Sequence, residues 1–461
     1  MPRSLSLIGP PAYPTGINSS GRKFFGSFFQ KRTERQRFFL KKEAKTSVSF
    51  EGPTMTGALS HIRVLDLSRV LAGPWAGQLL GDLGADVIKI ERPVAGDDTR
   101  GWGPPFLKDA EGRDTRDASY FLCANRNKQS VTIDFTQGAG QALIVALARA
   151  SDVLIENFKL GGLAQYGLDY ESLRAVNPGL IYCSITGFGQ TGPYAERAGY
   201  DFLIQGMGGL MSITGRRDGE PGAGPQKVGV AVTDILTGLY ASNAILAALA
   251  HRTVSGVGQH IDLALLDVQI ASLANQTMNY LTTGQAPVRM GNAHPNIVPY
   301  QDFPTADGAM ILAVGNDSQF AKLALVAGHG EWAVSPLFAT NRARVENREA
   351  FVAAFTAVSV TRTTKDWIAG LEAAGVPCGP INTLADVFAD PQVVARGTAI
   401  RMTHAAGVEV PLVANPIRMS MTPPEYRTAP PVLGEHTRAV LAERLGLDEA
   451  AIAALAEQGV I

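Results

Sequence analysis

From His61 onward, short unbroken runs of apolar residues alternate with longer segments in which apolar positions recur every three or four residues. HIRVLDLS (61–68) is a run of the first kind and predicts a strand. Pro74 can open the helix that carries WAGQLLGDLG, since proline suits a first turn, and Gly84 ends it. ADVIKIER is the next strand, running to Arg92, and a loop rich in Gly, Pro and Asp follows. QSVTIDF predicts a third strand, 138–150 a helix, DVLIENF a fourth strand and GLIYCSITGFG a fifth. Strands that alternate with helices imply a parallel sheet wound from βαβ units. Ligands of such sheets bind at the carboxyl ends of the strands, which directs attention to Arg92, Asp134, Asn157, Phe158, Gly187 and Phe188.

Farther along, residues 235–251 form a helix apolar on most sides, expected to be buried and to hint at an oligomer. A second Ala/Leu-rich helix is expected over 263–281. The segment RMGNAHPNIVPYQDF reads as a loop, DGAMILAVGN as a strand, 317–375 as mainly helical and GVPCGPI as a turn. The chain closes with two helices, the second capped by Asp448.

Composition narrows the choice of function. A chain of 461 residues is too long for one ordinary core. The net charge of -1 supplies no field that calls for nucleic acid or a membrane surface, and no apolar run approaches the ~20 residues of a membrane helix. The three cysteines lie far apart, and the seven histidines show no metal-ligand spacing, so neither a disulfide framework nor a metal centre is expected. Residues 1–54 differ from the rest, with ten Lys/Arg against three Asp/Glu and repeated Phe pairs. They read as upstream sequence ahead of a natural start at Met55, with an organelle transit peptide as the competing explanation. The expected location is accordingly cytoplasmic, or the mitochondrial matrix if the leader is a transit peptide.

No phosphate-binding glycine loop, no dinucleotide fingerprint after the first strand and no G-x-S-x-G elbow occurs. An enzyme with this sequence would use a carboxylate, helped by backbone N–H groups. One candidate is Asp218 in SITGRRDGEPGAG, although on local grounds Asp218-Gly219 reads as a turn. Asp234 reads as the N-cap of a helix beginning at Ile235.

Several segments together resemble one family: LDLSRVLAGPWAGQLLGDLGADVIKIERPVAGDDTRGWGPPF, NRNKQSVTIDF, DVLIENF, YCSITGFGQTGPYAERAGYD, GLMSITGRRDGEP, GNAHPNIVPYQ and GVPCGPI. The chain from Met55 to Ile461 resembles the family III CoA-transferases, of the formyl-CoA and carnitine type, and within them enzymes that pass CoA between dicarboxylates such as succinate and glutarate. The resemblance implies a Rossmann-like wound α/β domain built from both chain ends (55–252 and 396–461). It also implies linkers at 253–278 and 376–395, a smaller α+β domain at 279–375 and an interlocked homodimer. It makes Asp218 the nucleophile that passes through an anhydride to an enzyme-CoA thioester, with CoA as substrate and no tightly bound cofactor or metal. It places Arg92, Asp134, Asn157, Phe158 and Gly187 along the CoA path. Gly291 and Asn292 would cover the intermediate, and Arg289 and His294, with Arg216 and Arg217, are candidates for gripping a dicarboxylate. Departures from the formyl-CoA enzymes are Leu71, Thr186, Phe188 and the missing multi-glycine loop, which disfavour oxalate, and Gln165, which replaces an arginine that contacts CoA in those enzymes. Related α-methylacyl-CoA racemases, the alternative, carry a histidine where this chain has Tyr200; Asp234, in VAVTD, matches their aspartate but lacks that partner, and the helix cap is the better reading.

Overall fold

The computed structural model describes residues 57–461, and the readings made on the basic leader lie outside the described residues. Strands β1 (Arg63–Asp66) and β2 (Asp86–Glu91) are followed by a hairpin, β3 (Phe106–Lys108) and β4 (Asp114–Ala118). Then come β5 (Lys128–Thr132), β6 (Val153–Glu156), β7 (Ile181–Thr186) and β8 (His260–Ala264). Six of these form one sheet in the order β5-β2-β1-β6-β7-β8, and every neighbouring pair is parallel. The chain winds outward from β1 through β2 to β5, returns to the other side of β1 at β6, and winds on to β8. The neighbours β1 and β6 therefore mark the point where connections leave in opposite directions and a crevice opens.

Helices cover both faces, which explains the unbroken apolar runs; all six residues of β7 are buried. On one face Leu65, Ile88, Leu154 and Tyr182 pack with Leu143 and Leu147 of helix 138–149 and with Val440 and Ile452 of the two C-terminal helices. On the other, Val64, Val87, Ile155 and Ile185 meet helices α1 (Ala72–Asp82) and, after the short α2 (Asp201–Met207), α3 (Val232–Ser255). Gly238 lets α1 and α3 touch: a Cβ there would lie 2.7 Å from the Ala72 carbonyl oxygen and 3.0 Å from Trp75 Cβ.

Several expectations need correction. The sixth strand, β8, was not anticipated, and the helix read over 263–281 is two helices, α4 (Leu265–Ser272) and α5 (Asn275–Thr283), broken where Ala274 takes φ 45°. The helix expected to be buried at 235–251 runs over 232–255 with one side open: Leu239, Tyr240 and Leu246 are exposed. At 24 residues α3 is also long and apolar enough to cross a membrane, contrary to the sequence reading, although half of its most apolar stretch is buried inside the protein. The Asp448 cap is present, accepting the Ala451 N–H at 2.8 Å.

A second core surrounds a three-stranded antiparallel sheet of β9 (Tyr300–Pro304), β10 (Ala309–Ala313) and β11 (Cys378–Pro380), so the segment read as a loop ends in a strand and the one read as a turn contains another. Phe303, Met310 and Leu312 pack there against Phe320, Phe351, Phe355 and Trp367 of the surrounding helices.

Candidate active site

A layer of buried charge lies under the crevice. Lys89 of β2 pairs with Asp97, and Lys128 of β5 with Asp66 of β1, each at 2.9 Å and each with both side chains fully buried. A charge out of water is tolerable only when it is paired and hydrogen-bonded. Burial raises the Asp97 carboxyl, but the Lys89 charge and the hydrogen bonds from Lys89 and Thr99 outweigh it and hold the group at about 2. Burial brings Lys128 down to about 8, against the pull of Asp66.

This layer fixes the turn that follows β1. Lys89 Nζ donates to the Ser68 carbonyl at 2.8 Å, and the Asp97 carboxylate accepts the Val70 N–H at 3.3 Å. From β6, Asn157 accepts the Arg69 N–H at 2.9 Å and donates back to the Arg69 carbonyl at 2.7 Å. Between these clamps Val70 adopts φ 71°, a conformation that a β-branched residue holds only when its surroundings over-determine it. The turn delivers Leu71 and Ala72 to the crevice as the start of α1. That helix has no side-chain cap and no acid in its first turn, so the positive end of its dipole is free.

The crevice holds a cavity of about 150 Å³ lined by Arg69–Ala72, Asn157–Leu160, Ile185–Gly187, Tyr200 and Asp234. Gly187 is required by close approach: a Cβ there would lie 2.5 Å from Gly199 Cα. Asp234 does not cap α3 as its sequence suggested. It sits inside the first turn, and the cap is Asp201, whose carboxylate accepts the N–H groups of Thr233 at 2.8 Å and Asp234 at 3.3 Å. Asp234 is 8% exposed. Burial first, and the charge of Asp201 second, push its carboxyl up to about 7. A second raised carboxyl, Glu156, lies at the end of β6; burial lifts it to about 7 against hydrogen bonds from Ser184 and the Phe158 N–H.

The other residues singled out by sequence are distributed as follows. Asn157, Phe158 and Gly187 line the cavity. Phe158 packs edge-on to Phe135 at 5.6 Å and lies beneath the Arg69 guanidinium at 5.2 Å. Arg92 is outside the lining, with its side chain 56% exposed, and shares Asp98 with Arg69. Asp134 uses its two oxygens locally, accepting from Thr136 and from the Gln137 amide. Asp218 is not in the cavity wall. Its carboxylate stands 69% exposed on a turn where Gly219 has φ 89°, and its partner is Arg289. That turn is tied to the 289–294 loop by the Gly291 N–H on the Gly215 carbonyl at 3.2 Å and by Arg289 on the Ser212 carbonyl at 3.3 Å. Asn292 is exposed; His294 is half-buried and accepts the Asn296 N–H at 3.1 Å. Arg289, Gly291 and Asp218 are thus brought together, but Asp218 is not joined to the cavity residues. Among the described residues no group of three or more His, Cys, Asp or Glu side chains is placed to hold a metal ion.

Sequence reasoning missed Asp97, Lys89 and Arg69 and gave Asp234 another role. A signal existed for one of them: a lysine inside the apolar run DVIKIE is out of place in a strand buried on both faces unless it has a partner.

The sequence model of CoA-transferase family III matches residues 59–437. The succinate–glutarate CoA-transferase of Agrobacterium fabrum is 55% identical over 391 residues, covering 85% of this chain and 96% of that protein. The succinyl-CoA:glutarate CoA-transferase of Homo sapiens is 42% identical over 403 residues, covering 87% of this chain and 90% of the human protein. Among solved structures, a CAIB/BAIF family protein from Brucella suis superposes with a TM-score of 0.73 at 54% identity, over 84% of this chain and 100% of its own. The D175A mutant of Rv3272 from Mycobacterium tuberculosis does so with a TM-score of 0.73 at 30% identity, over 84% and 99%.

Proposed function

Because the chain belongs to CoA-transferase family III, we propose that it moves coenzyme A from succinyl-CoA to a dicarboxylic acid such as glutarate, with Asp234 as the covalent carboxylate. The observation that carries this is one buried side chain: Asp234 is 8% exposed and lines the cavity at the strand-order reversal. Its Oδ attacks the thioester carbonyl, the C–S bond breaks, and CoA leaves as a thiolate from an acyl-aspartyl anhydride. The thiolate attacks the aspartyl carbonyl and releases succinate, leaving an aspartyl-CoA thioester. The acceptor carboxylate attacks that carbonyl, CoA leaves again, and the thiolate finally takes the acceptor's acyl group from the anhydride, restoring Asp234. No proton is consumed and the thioester energy is conserved.

Burial serves this chemistry twice. It keeps water from an anhydride, and a carboxylate whose conjugate acid titrates at about 7 is a stronger base and nucleophile than one in water. The uncapped start of α1 supplies a positive dipole end beside the oxyanions that form. Asp218, the carboxylate favoured by motif, has neither feature: it is 69% exposed and held by Arg289. Arg69 and Arg92, which share Asp98, are the cations suited to CoA phosphate, while Asn157, Phe158 and Gly187 line the path of the pantetheine; a place for Asp134 beside the adenosine rests on the family resemblance alone. The open apolar side of α3, with Leu239, Tyr240 and Leu246, supports a homodimer.

The test follows glutaryl-CoA formed from succinyl-CoA and glutarate by the full chain. Asp234→Ala is expected to abolish exchange and Asp218→Ala to retain it. Full exchange in Asp234→Ala would remove the proposal, and loss confined to Asp218→Ala would return the covalent role to that residue. Exchange of the α-proton of an acyl-CoA without any acceptor acid would instead indicate racemase chemistry.

A further inference from the structure

The acid that takes up CoA carries two carboxylates, and only one of them reacts. The other can meet a cation only within reach of its short carbon chain, in the wall of the Asp234 cavity itself. Arg289 and His294, the candidates from sequence, belong to the loop tied to the Asp218 turn and are not part of that wall. Three other cations are: Arg69, Lys159 and Arg197. Arg69 is held by Asp98 at 2.9 Å, and Lys159 directly follows the Asn157–Phe158 pair assigned to the pantetheine path. Arg197 comes from another segment, 195–200, whose Ala195, Ala198, Gly199 and Tyr200 share the cavity wall with it. That segment is fastened to the site at two points. A Cβ on Gly199 would lie 2.4 Å from Gly187 Cα, and the next residue after the segment, Asp201, accepts the Asp234 N–H at 3.3 Å.

Arg197 is exposed, and its guanidinium lies 4.5 Å from the centre of the Tyr194 ring and 5.2 Å from that of Phe188. Phe188 belongs to the apolar core of the sheet, so the ring beneath the cation is held in place. The side chain's one hydrogen-bonding contact among the described residues is the Met207 sulfur, 4.0 Å from Nη2, and no carboxylate pairs with it. Ring faces and a thioether orient a guanidinium but accept little from its N–H groups, whose edges stay available to an anion. We propose that Arg197 selects a dicarboxylic acid by binding its free carboxylate through two parallel N–H bonds while the other carboxylate reacts at Asp234. This rests on the CoA-transfer reading above and adds how the acid is chosen. The planar fork of a guanidinium matches a carboxylate, and a monocarboxylic acid, whose single carboxylate is consumed in the reaction, leaves that fork to water.

The full chain is assayed for CoA exchange in two matched systems, glutaryl-CoA with glutarate and butyryl-CoA with butyrate, reading the ratio of their kcat/KM values. Arg197→Met, which keeps an apolar stem over the rings, is expected to lower the glutarate preference roughly 10- to 100-fold, the range for loss of a hydrogen bond to a charged group. Arg197→Lys, which keeps the charge but not the fork, should lose less. A ratio within about twofold of wild type in Arg197→Met overturns the proposal, including the case in which both rates fall alike because the guanidinium holds a CoA phosphate. Loss of the preference in Lys159→Met but not in Arg197→Met overturns it as well. Wild-type protein that exchanges CoA with neither acid overturns the CoA-transfer reading instead. A measurement independent of mutant folding is the rate at which phenylglyoxal modifies Arg197 in the wild-type chain, located by mass spectrometry. Glutarate should protect Arg197 and butyrate should not; equal responses to both acids overturn the assignment.

Discussion

Replacing Asp234 by asparagine should make the protein inactive and, at neutral pH, more stable. In the fold this carboxyl titrates at about 7, against 3.8 for an unperturbed group. The folded chain therefore holds the proton to higher pH than the unfolded chain does. Stability falls as pH rises from about 4 to about 7, and the full cost is present above pH 7. At about 1.4 kcal/mol per pH unit, that cost is about 4 kcal/mol. Asparagine keeps the size of the side chain and removes the charge. Denaturant unfolding of wild type and Asp234→Asn, followed by tryptophan fluorescence at pH 8, 6.5 and 5, measures the difference. The variant should be more stable by about 4 kcal/mol at pH 8, with the gap shrinking steadily toward pH 5. Loss of the covalent carboxylate should reduce exchange at least roughly 1,000-fold. A variant no more stable than wild type at pH 8, or a gap that does not change with pH, would refute the reasoning that the site holds this charge against the preference of the fold.

Three further outcomes follow from the same geometry. Asp97→Asn leaves Lys89 buried without its partner and should cost roughly 3–5 kcal/mol, with kcat falling more than KM rises because the Val70 turn relaxes. Since Asp97 sits at about 2 in the fold, its contribution is complete above pH 3.8 and is lost as pH falls toward 2, so acid unfolding of this variant should begin from a lower plateau and show a shallower pH dependence below 4. Gly238→Val drives a side chain into the Ala72 carbonyl and Trp75; a thermal melt should report a loss of roughly 1–3 kcal/mol. Glu156→Gln tests the assignment of the pH profile: exchange in wild type should rise with pH through about 7 as Asp234 ionises, and the rise should persist in this variant although Glu156 also titrates near 7. A profile that flattened only in Glu156→Gln would assign the limb to that residue.

The parallel sheet was legible because buried strands must be apolar throughout, and VLIE, IYCSIT and DVIKIE stand out between helical stretches. β8 was not, because HIDLA runs into LLDVQIAS without a turn residue, so strand and helix read as one apolar segment. The β3–β4 hairpin was missed for the opposite reason: DTRDA carries too little apolar character to register as a strand. Of the residues the strand-end rule pointed to, Asn157, Phe158 and Gly187 line the cavity, since loop residues after parallel strands share one edge, while Arg92, Asp134 and Phe188 do not. It did not lead to Asp234, which only the likeness to the racemases singled out, because a carboxylate just ahead of an apolar helix looks like a local cap. The real cap, Asp201, is supplied by another helix and leaves no mark near position 234. For Asp218 the local signal of a turn describes the backbone that forms, with Gly219 in the left-handed region.

The most direct test is to incubate the full chain with succinyl-CoA, treat it with hydroxylamine or borohydride, digest it and locate the altered side chain by mass spectrometry. The account predicts modification of Asp234, with Asp218 untouched. Modification at Asp218, or an unaltered Asp234 in protein that still transfers CoA, would contradict it.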